Sequence, residues 1–350
     1  MSTRFTIKDR TIGPGQPTYI IAEMSANHNQ DLAQAEAIIH AAKNAGADAI
    51  KLQTYTPDTM TIDCSEPSFV IGKGTLWEGR KLHELYGEAC TPWQWQGHLK
   101  QLAESIGLHC FSTPFDATAV EFLEDLEMPA HKIASFEIVD LPLIRKVAAT
   151  GKPVIMSTGM ATLAEIDEAV SAFRQAGGTQ LALLKCTSAY PSPVSEMNLR
   201  TIPHLSEAFA VPTGLSDHSM GTVATIAAVA LGACIIEKHM TLSRAVPGPD
   251  SQFSLEPSEF AEMVRAVREC EAALGRVNYS VTPKEKASCV FRRSLFAVQD
   301  VKAGEAFSNA NVRIIRPGNG LPPKFIGEVL GRRASRDIVR GTPLSWDLLA

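Results

Sequence analysis

Two short stretches end apolar runs in titratable side chains. Residues 214–219 read GLSDHS and supply Ser216, Asp217 and His218; residues 234–240 read CIIEKHM and supply Glu237, Lys238 and His239. Two imidazoles at the ends of successive runs can share a divalent metal that keeps open positions and polarises a carbonyl. They read equally well as hydrogen-bonded structural histidines. Similar ends recur upstream. YIIAEM carries Glu23, followed by Ser25, Asn27 and His28, and AIKLQ carries Lys51 and Gln53. LHCFST ends in Ser112 and Thr113; AHKIAS carries Lys132 and Ser135, with Glu137 just beyond; PVIMST ends in Ser157 and Thr158. LALLKCT brings Lys185 and Thr187, followed by Ser188 and Tyr190. Lysines and small hydroxyls are the donors that hold a phosphate or a carboxylate. Lys51 and Lys132 lie between apolar neighbours, where an ammonium without an anion is costly, so both point to function. Glu23 is placed for proton transfer. The chemistry implied is an anionic substrate beside a metal-bound carbonyl compound. Each hydroxyl alone could be a helix cap, and Glu237 and Lys238 could pair with one another. His40, His83, His98, His109 and His204 receive no chemistry, and Arg316 is by itself an ordinary solvated arginine.

These ends converge only if the runs are strands of one sheet. Eight β-like runs alternate with segments of helical spacing: Tyr19–Met24, Ala49–Gln53, Leu108–Thr113, Ala130–Ser135, Pro153–Thr158, Leu181–Thr187, Pro212–Asp217 and Cys234–His239. Eight such units predict a (β/α)8 TIM barrel rather than an open doubly wound sheet, whose GxGxxG signature is missing. In a barrel the eight run ends share one rim. One connection is abnormally long: residues 54–92 separate the second strand from its helix, and Trp77 and Tyr86 suggest an ordered cover. After Gly275 the pattern changes. DVKAGEAFS (300–308) and DIVRGTPLS (337–345) form a near-repeat, which predicts a small β-rich module with internal pseudosymmetry. The expected division is a barrel over 1–277, a linker over 278–290 and the module over 291–350.

Composition narrows the class. The 350 residues carry a formal net charge of −5 with signs interspersed, so no basic face offers itself to nucleic acid. The longest apolar runs are about ten residues, far short of a membrane span, and the N-terminus lacks a secretory core. The seven cysteines are scattered without a CxxC pair, which points to a reducing cytoplasm.

The motifs IIAEMSANH, KLQTYTPDT, FSTPF, KIASFE, STGM, KCTSAYP, GLSDHS, EKHM and RPGNG follow one another. In that order they resemble the sialic acid synthase-like (N-acetylneuraminate synthase) family over nearly the whole chain. The tail resembles that family's antifreeze-like (SAF) domain. SANH, QTYTPDT, LWEGRKLHELY and KCTSAYP are more similar to the pseudaminic branch than to N-acetylneuraminate synthases, in which an Asn usually stands near the position of Ser188. The resemblance implies condensation of phosphoenolpyruvate with an open-chain amino sugar, a 2,4-diacetamido-2,4,6-trideoxy-altrose in this branch. N-acetylneuraminate or legionaminate synthesis with another amino sugar is the alternative. His218 and His239 would hold Mn2+, with Mg2+ or Co2+ as substitutes. Lys51, Thr113, Lys132, Ser135, Ser157 and Ser216 would hold phosphoenolpyruvate. Gln53, Tyr190 and Asp250 would line the sugar site, and Glu23 would handle a proton. A homodimer with swapped SAF domains would bring Arg316 to the sugar of the neighbouring subunit. Two rivals remain: a Schiff-base aldolase on Lys185 or another strand-end lysine, and a binding module with an inert barrel.

Overall fold

A computed structural model describes residues 5–350. It divides into two compact units, with the boundary between Gly275 and Arg276. The first begins with a hairpin, β1 (Phe5–Ile7) and β2 (Arg10–Ile12). Eight parallel strands follow: β3 (Tyr19–Glu23), β4 (Ala49–Thr54), β5 (His109–Pro114), β6 (His131–Ile133), β7 (Val154–Ser157), β8 (Leu181–Cys186), β9 (Thr213–Asp217) and β10 (Ile235–His239). They close into a barrel in chain order, β10 pairing with both β9 and β3. All eight expected strands are present. β6 is shorter than its run because Ser135–Glu137 leaves the strand as a tight helical turn.

Strand side chains alternate between faces, and the sequence uses that period. Outward residues such as Ile20, Ile50, Leu52, Cys110, Leu215 and Ile236 pack under the surrounding helices. Inward residues change character along each strand. Near the strand starts Tyr19, Ile21, Ala49, Phe111, Ala130, Ile155, Ala182, Leu184 and Ile235 form an apolar plug. Phe5, Ile7 and Ile12 of the hairpin, which the periodicity did not reveal, join that plug and seal the end away from the polar rim. One or two residues later the inward positions become Glu23, Lys51, Thr113, Lys132, Ser157, Cys186, Ser216 and Glu237. The barrel is thus oily at one end and charged at the other.

Ten helices accompany these strands: α1 (Leu32–Asn44), α2 (Pro57–Met60), α3 (Leu82–Ala89), α4 (Trp93–Ser105), α5 (Ala117–Asp125), α6 (Leu141–Ala148), α7 (Leu163–Gln175), α8 (Thr201–Phe209), α9 (Val223–Ala230) and α10 (Pro257–Leu274). Side-chain caps fix several helix starts: Asp31 on α1, Asp116 on α5, Asp140 on α6 and Thr162 with Glu165 on α7. The long second connection is ordered, since α2 and α3 lie within it. No helix among the described residues is long and apolar enough to cross a membrane.

His28 pins that connection to the barrel. The Gln30 amide donates to His28 Nδ1 at 3.1 Å, so the ring is the tautomer whose Nε2–H faces Thr91 Oγ1 at 3.3 Å. Burial drives its pKa down to about 4, against a small opposing hydrogen bond from the backbone. An unfolded histidine titrates near ~6.5, so the folded state resists protonation. Stability from this group is complete above about 6.5 and is lost progressively as pH falls towards 4, by at most about 3 kcal/mol. A His28→Gln variant is expected to show a flatter dependence of melting temperature on pH across that window. An unchanged slope would refute the assignment.

In the second unit, α11 (Pro283–Ser288) forms a capped turn within the stretch expected to be linker, with Thr282 and Glu285 as capping box. Beyond it lie the antiparallel pair β11 (Ser294–Ala297) and β12 (Val312–Ile315), and a short helical turn, α12 (Ile326–Val329). The near-repeat is a structural pseudo-twofold. Val301 and Ile338 exchange backbone hydrogen bonds of 2.8 Å with each other. Asp300 accepts from the Arg340 amide and Asp337 from the Ala303 amide, which are equivalent positions of the two copies. The core is formed by residues such as Leu295, Val301, Phe307, Ile338 and Leu344.

Candidate active site

The charged end of the barrel opens into a cavity of about 440 Å3. Its floor is a network of buried ions. Lys51 Nζ lies 2.9 Å from Glu23 Oε2 and 3.3 Å from Glu237 Oε2. Lys132 Nζ stands 3.7 Å from Glu237 Oε1 and donates to Ser157 Oγ at 2.6 Å. Ser216 Oγ donates to Glu237 at 3.0 Å, and Lys51 reaches Thr113 Oγ1 at 3.3 Å. Each of the four ionised groups is no more than 5% exposed. Buried charges survive only when paired, and here the two lysines and two carboxylates pair with one another across the barrel. Burial pushes the Lys132 ammonium down to about 8, against the pull of Glu237. Burial also raises the Glu23 carboxyl, which Lys51 only partly offsets, whereas the two lysines outweigh burial at Glu237 and hold it ionised.

The two histidines meet on the adjoining wall, their ring centroids 5.2 Å apart. His218 Nδ1 donates to the Thr187 carbonyl at 3.1 Å, which leaves Nε2 free of that bond; burial would lower the ring's pKa, but Cys186 and that carbonyl raise it. Burial holds His239 neutral, and its Nδ1 has no partner. Tyr190 packs on His218 at 4.5 Å between centroids, and Phe253 on His239 at 5.0 Å. No cluster of three or more His, Cys, Asp or Glu side chains suited to a metal occurs among the described residues. A metal here would therefore have two imidazole ligands and several open positions. A neutral His239 with an orphaned nitrogen, and a His218 whose Nδ1 is taken by a carbonyl so that Nε2 is left for a ligand, fit that arrangement.

Of the residues expected from sequence, Lys51, Gln53, Lys132, Ser135, Ser157, Tyr190, Ser216, His218, His239 and Asp250 all line the cavity. Ser25 Oγ donates to Asp250, and Gln53 Nε2 donates to Ser25 Oγ at 2.9 Å and to Glu23 Oε1 at 3.1 Å. Glu23 and Thr113 are not among the lining residues, although Glu23 is in register with Lys51 and His239 and Thr113 with Gln53; Glu23 is 1% exposed. Glu23, the expected proton-transfer residue, touches Lys51 and Gln53, and burial raises its pKa to about 7. Arg316 belongs to the second unit, just after β12. Asn27 donates to the Met240 carbonyl and Ser254 Oγ, and is a structural brace.

The supposed Glu237–Lys238 pair does not exist. Adjacent strand residues face opposite ways, so Lys238 points outward to Asp217 at 2.7 Å, with both side chains fully buried. Lys185, the first Schiff-base candidate, also points outward and donates to the Cys186 carbonyl at 2.6 Å.

Glu237, Glu137 and Cys186 also line the cavity; the first two stand at strand ends in the sequence but received no role there. Glu237 is the hub of the ion network, and the period-two pattern of its own strand marks it as inward. Glu137 is turned in by the helical turn after β6; one carboxylate oxygen is buried without a partner, and burial raises its pKa to about 7. Cys186 lies 3.8 Å from His218 Nδ1; burial would raise its thiol, but the imidazole draws it down to about 6. Gly159 has a steric role. A Cβ there would lie 2.2 Å from Ser188 Oγ and 2.7 Å from Ser135 Oγ, and its amide donates to Ser135 at 3.1 Å. Gly159→Ala is expected to displace Ser135 and raise KM for the anionic substrate about tenfold or more, since one hydrogen bond to a charged group is worth ~1.5–3 kcal/mol. An unchanged KM would remove Ser135 from the anion site.

Residues 38–279 match the NeuB family and residues 292–350 match the SAF domain. The chain is 47% identical to the pseudaminic acid synthase of Helicobacter pylori, covering 95% of this chain and 98% of that one. It is 35% identical to the N,N'-diacetyllegionaminic acid synthase of Legionella pneumophila, covering 96% and 95%. Among solved structures, the spore coat polysaccharide biosynthesis protein SpsE of Bacillus subtilis superposes with a TM-score of 0.68 at 35% identity, covering 99% of both chains. The chain belongs to the NeuB family, with a SAF domain after its barrel.

Proposed function

We propose that the protein is a pseudaminic acid synthase. It condenses phosphoenolpyruvate with 2,4-diacetamido-2,4,6-trideoxy-β-L-altrose and water, giving pseudaminic acid and inorganic phosphate. The observation that carries the chemistry is the juxtaposition of two buried lysines and a set of hydroxyls with a pair of histidines in one cavity. The identity of 47–48% to pseudaminic acid synthases, against 35–36% to legionaminic acid synthases, favours this sugar over its isomers.

Lys51, Lys132, Ser135, Ser157 and Ser216 hold the phosphate and carboxylate of phosphoenolpyruvate, with Thr113 supporting Lys51 from below. His218 and His239 would hold a divalent ion, Mn2+ in our first assignment and Mg2+ or Co2+ otherwise, which supplies Lewis-acid polarisation of the sugar aldehyde. Gln53, Tyr190 and Asp250 orient the sugar so that its C1 meets C3 of phosphoenolpyruvate. After that C–C bond forms, water adds at C2, and the tetrahedral centre collapses to the ketone with C–O cleavage and loss of phosphate. We assign Glu23 to the orientation of Lys51 and Gln53. Glu137, unpaired and with a raised pKa, takes the proton from water and can return one to the new hydroxyl.

We further propose a homodimer in which the SAF domain of one subunit reaches the barrel of the other and brings Arg316 to the sugar. Exposed apolar side chains in the connections after the strands, including Phe136, Met160 and Met220, support a covered rim. Arg316→Ala is expected to raise KM for the sugar at least tenfold. Mixing it with His239→Ala, each inactive or impaired alone, should restore activity by pairing intact sites; no recovery would refute the exchange. Seven free thiols support a cytoplasmic location.

The decisive experiment measures phosphate release from phosphoenolpyruvate with a panel of amino sugars, with EDTA and with added Mn2+. Turnover confined to the altro diacetamido sugar is expected. Preference for N-acetylmannosamine or the legionaminate precursor would replace the substrate. EDTA-resistant turnover trapped by borohydride would favour a Schiff-base aldolase, and no turnover with any sugar a binding module.

A further inference from the structure

The cavity is two-sided. Its floor is the ion network of the strand ends, whereas its mouth is faced largely by the connection between β4 and α4. From that connection Met60, Ile71, Trp77, Leu82 and Leu85 turn apolar surface inward. The wall is braced rather than loose. The Trp77 indole N–H donates to the Pro249 carbonyl at 3.0 Å, and its ring packs on Tyr190 at 5.7 Å between centroids. Ile71 is held by its carbonyl accepting from the Gly79 amide at 2.9 Å and its amide donating to the Arg80 carbonyl at 2.9 Å. Apart from Thr75 and the tyrosine hydroxyls, this side offers almost nothing to a hydrogen-bonding group.

The reacting aldehyde carbon must sit at the floor, beside His218 and His239. A six-carbon open chain that starts there runs outward, so its far end meets the wall. A methyl group at that end gains burial against carbon. A hydroxymethyl would lose its bonds to water and find no replacement. We infer that the apolar wall formed by Ile71, Trp77 and Leu82 is the specificity element that selects a 6-deoxy acceptor over its 6-hydroxy counterpart. This rests on the pseudaminic acid synthase reading above. The discrimination available is bounded, because an apolar pocket rejects an added hydroxyl by only about 100-fold.

The test compares two acceptors that differ only at C6, 2,4-diacetamido-2,4,6-trideoxy-altrose and 2,4-diacetamido-2,4-dideoxy-altrose, by phosphate release from phosphoenolpyruvate. The wild-type enzyme is expected to favour the deoxy sugar by about 10- to 100-fold in kcat/KM. Ile71→Ser and Leu82→Ser should each lower that ratio at least fivefold, chiefly through the deoxy sugar. KM for phosphoenolpyruvate should stay at its wild-type value, which certifies the fold; Ile71→Val, which keeps the carbon surface, should keep the ratio. Equal use of both sugars by the wild type, or an unchanged ratio in both serine variants, overturns the inference while leaving the synthase reading intact. Turnover with an unrelated aldehyde and neither of these sugars overturns both. Serine variants that do not fold leave the decision to the wild-type ratio and to Trp77→Phe, which removes the brace to Pro249 and should also lower the ratio.

Discussion

Replacing either His218 or His239 with alanine is expected to lower kcat by at least about 10³-fold, because the loss of Lewis-acid polarisation removes several kcal/mol of transition-state stabilisation. The fold should survive. Neither imidazole has a carboxylate partner, and His239 Nδ1 bonds to nothing, so truncation strands no buried ion. A direct readout accompanies the kinetics: the wild type should bind about one Mn2+ per chain in equilibrium dialysis, and each variant should bind none. Lys238→Ala supplies the contrast. One residue from His239, it leaves Asp217 buried without its counter-ion, which costs about 3–5 kcal/mol. Its expected defect is a lowered melting temperature. EDTA-sensitive turnover retained by both histidine variants would sink the metal assignment.

The second large effect is expected at Lys132. This ammonium is 1% exposed, donates to Ser157 Oγ and the Ile133 carbonyl, and holds Glu237 from 3.7 Å. Lys132→Met should reduce kcat/KM for phosphoenolpyruvate by about 10²- to 10⁴-fold, the worth of one buried charge-assisted contact of ~3–5 kcal/mol. Glu237 keeps Lys51 and Ser216, so the variant should still fold. The pH dependence follows from the same group. Burial lowers its pKa to about 8, so the charge that attracts the anion is present below that pH and is lost above it. Wild-type affinity for phosphoenolpyruvate should therefore weaken as pH rises through about 8. In Lys132→Met that loss should disappear; a profile identical to the wild type would assign the anion to Lys51 alone.

The barrel was legible from sequence because its cause is local. Alternating β-branched runs and helical segments state their own period, and eight repeats leave few topologies. The near-repeat of the tail was legible too, since identical turn chemistry builds identical turns, here joined through Val301 and Ile338. Strand ends also announced Lys51, Lys132, Ser216 and the histidines, because hydrophilic residues inside apolar runs are costly unless they converge on one another. The opening hairpin stayed hidden, as three-residue strands are too short to show a period.

What the sequence could not decide was which neighbour each ion would choose. Glu237 and Lys238 are adjacent in the chain, yet the pleat sends one to Lys51 and Lys132 inside the barrel and the other to Asp217 outside it. Glu23 and Glu137 are both rim carboxylates on paper. Closure of the barrel buries Glu23 against Lys51, while a helical turn brings Glu137 to the cavity with no lysine in contact. Residue types fixed the kind of chemistry and the rim on which it occurs. The assignment of roles waited for the tertiary structure, because the pKa and partner of a buried charge depend on distances between strands that are far apart in sequence.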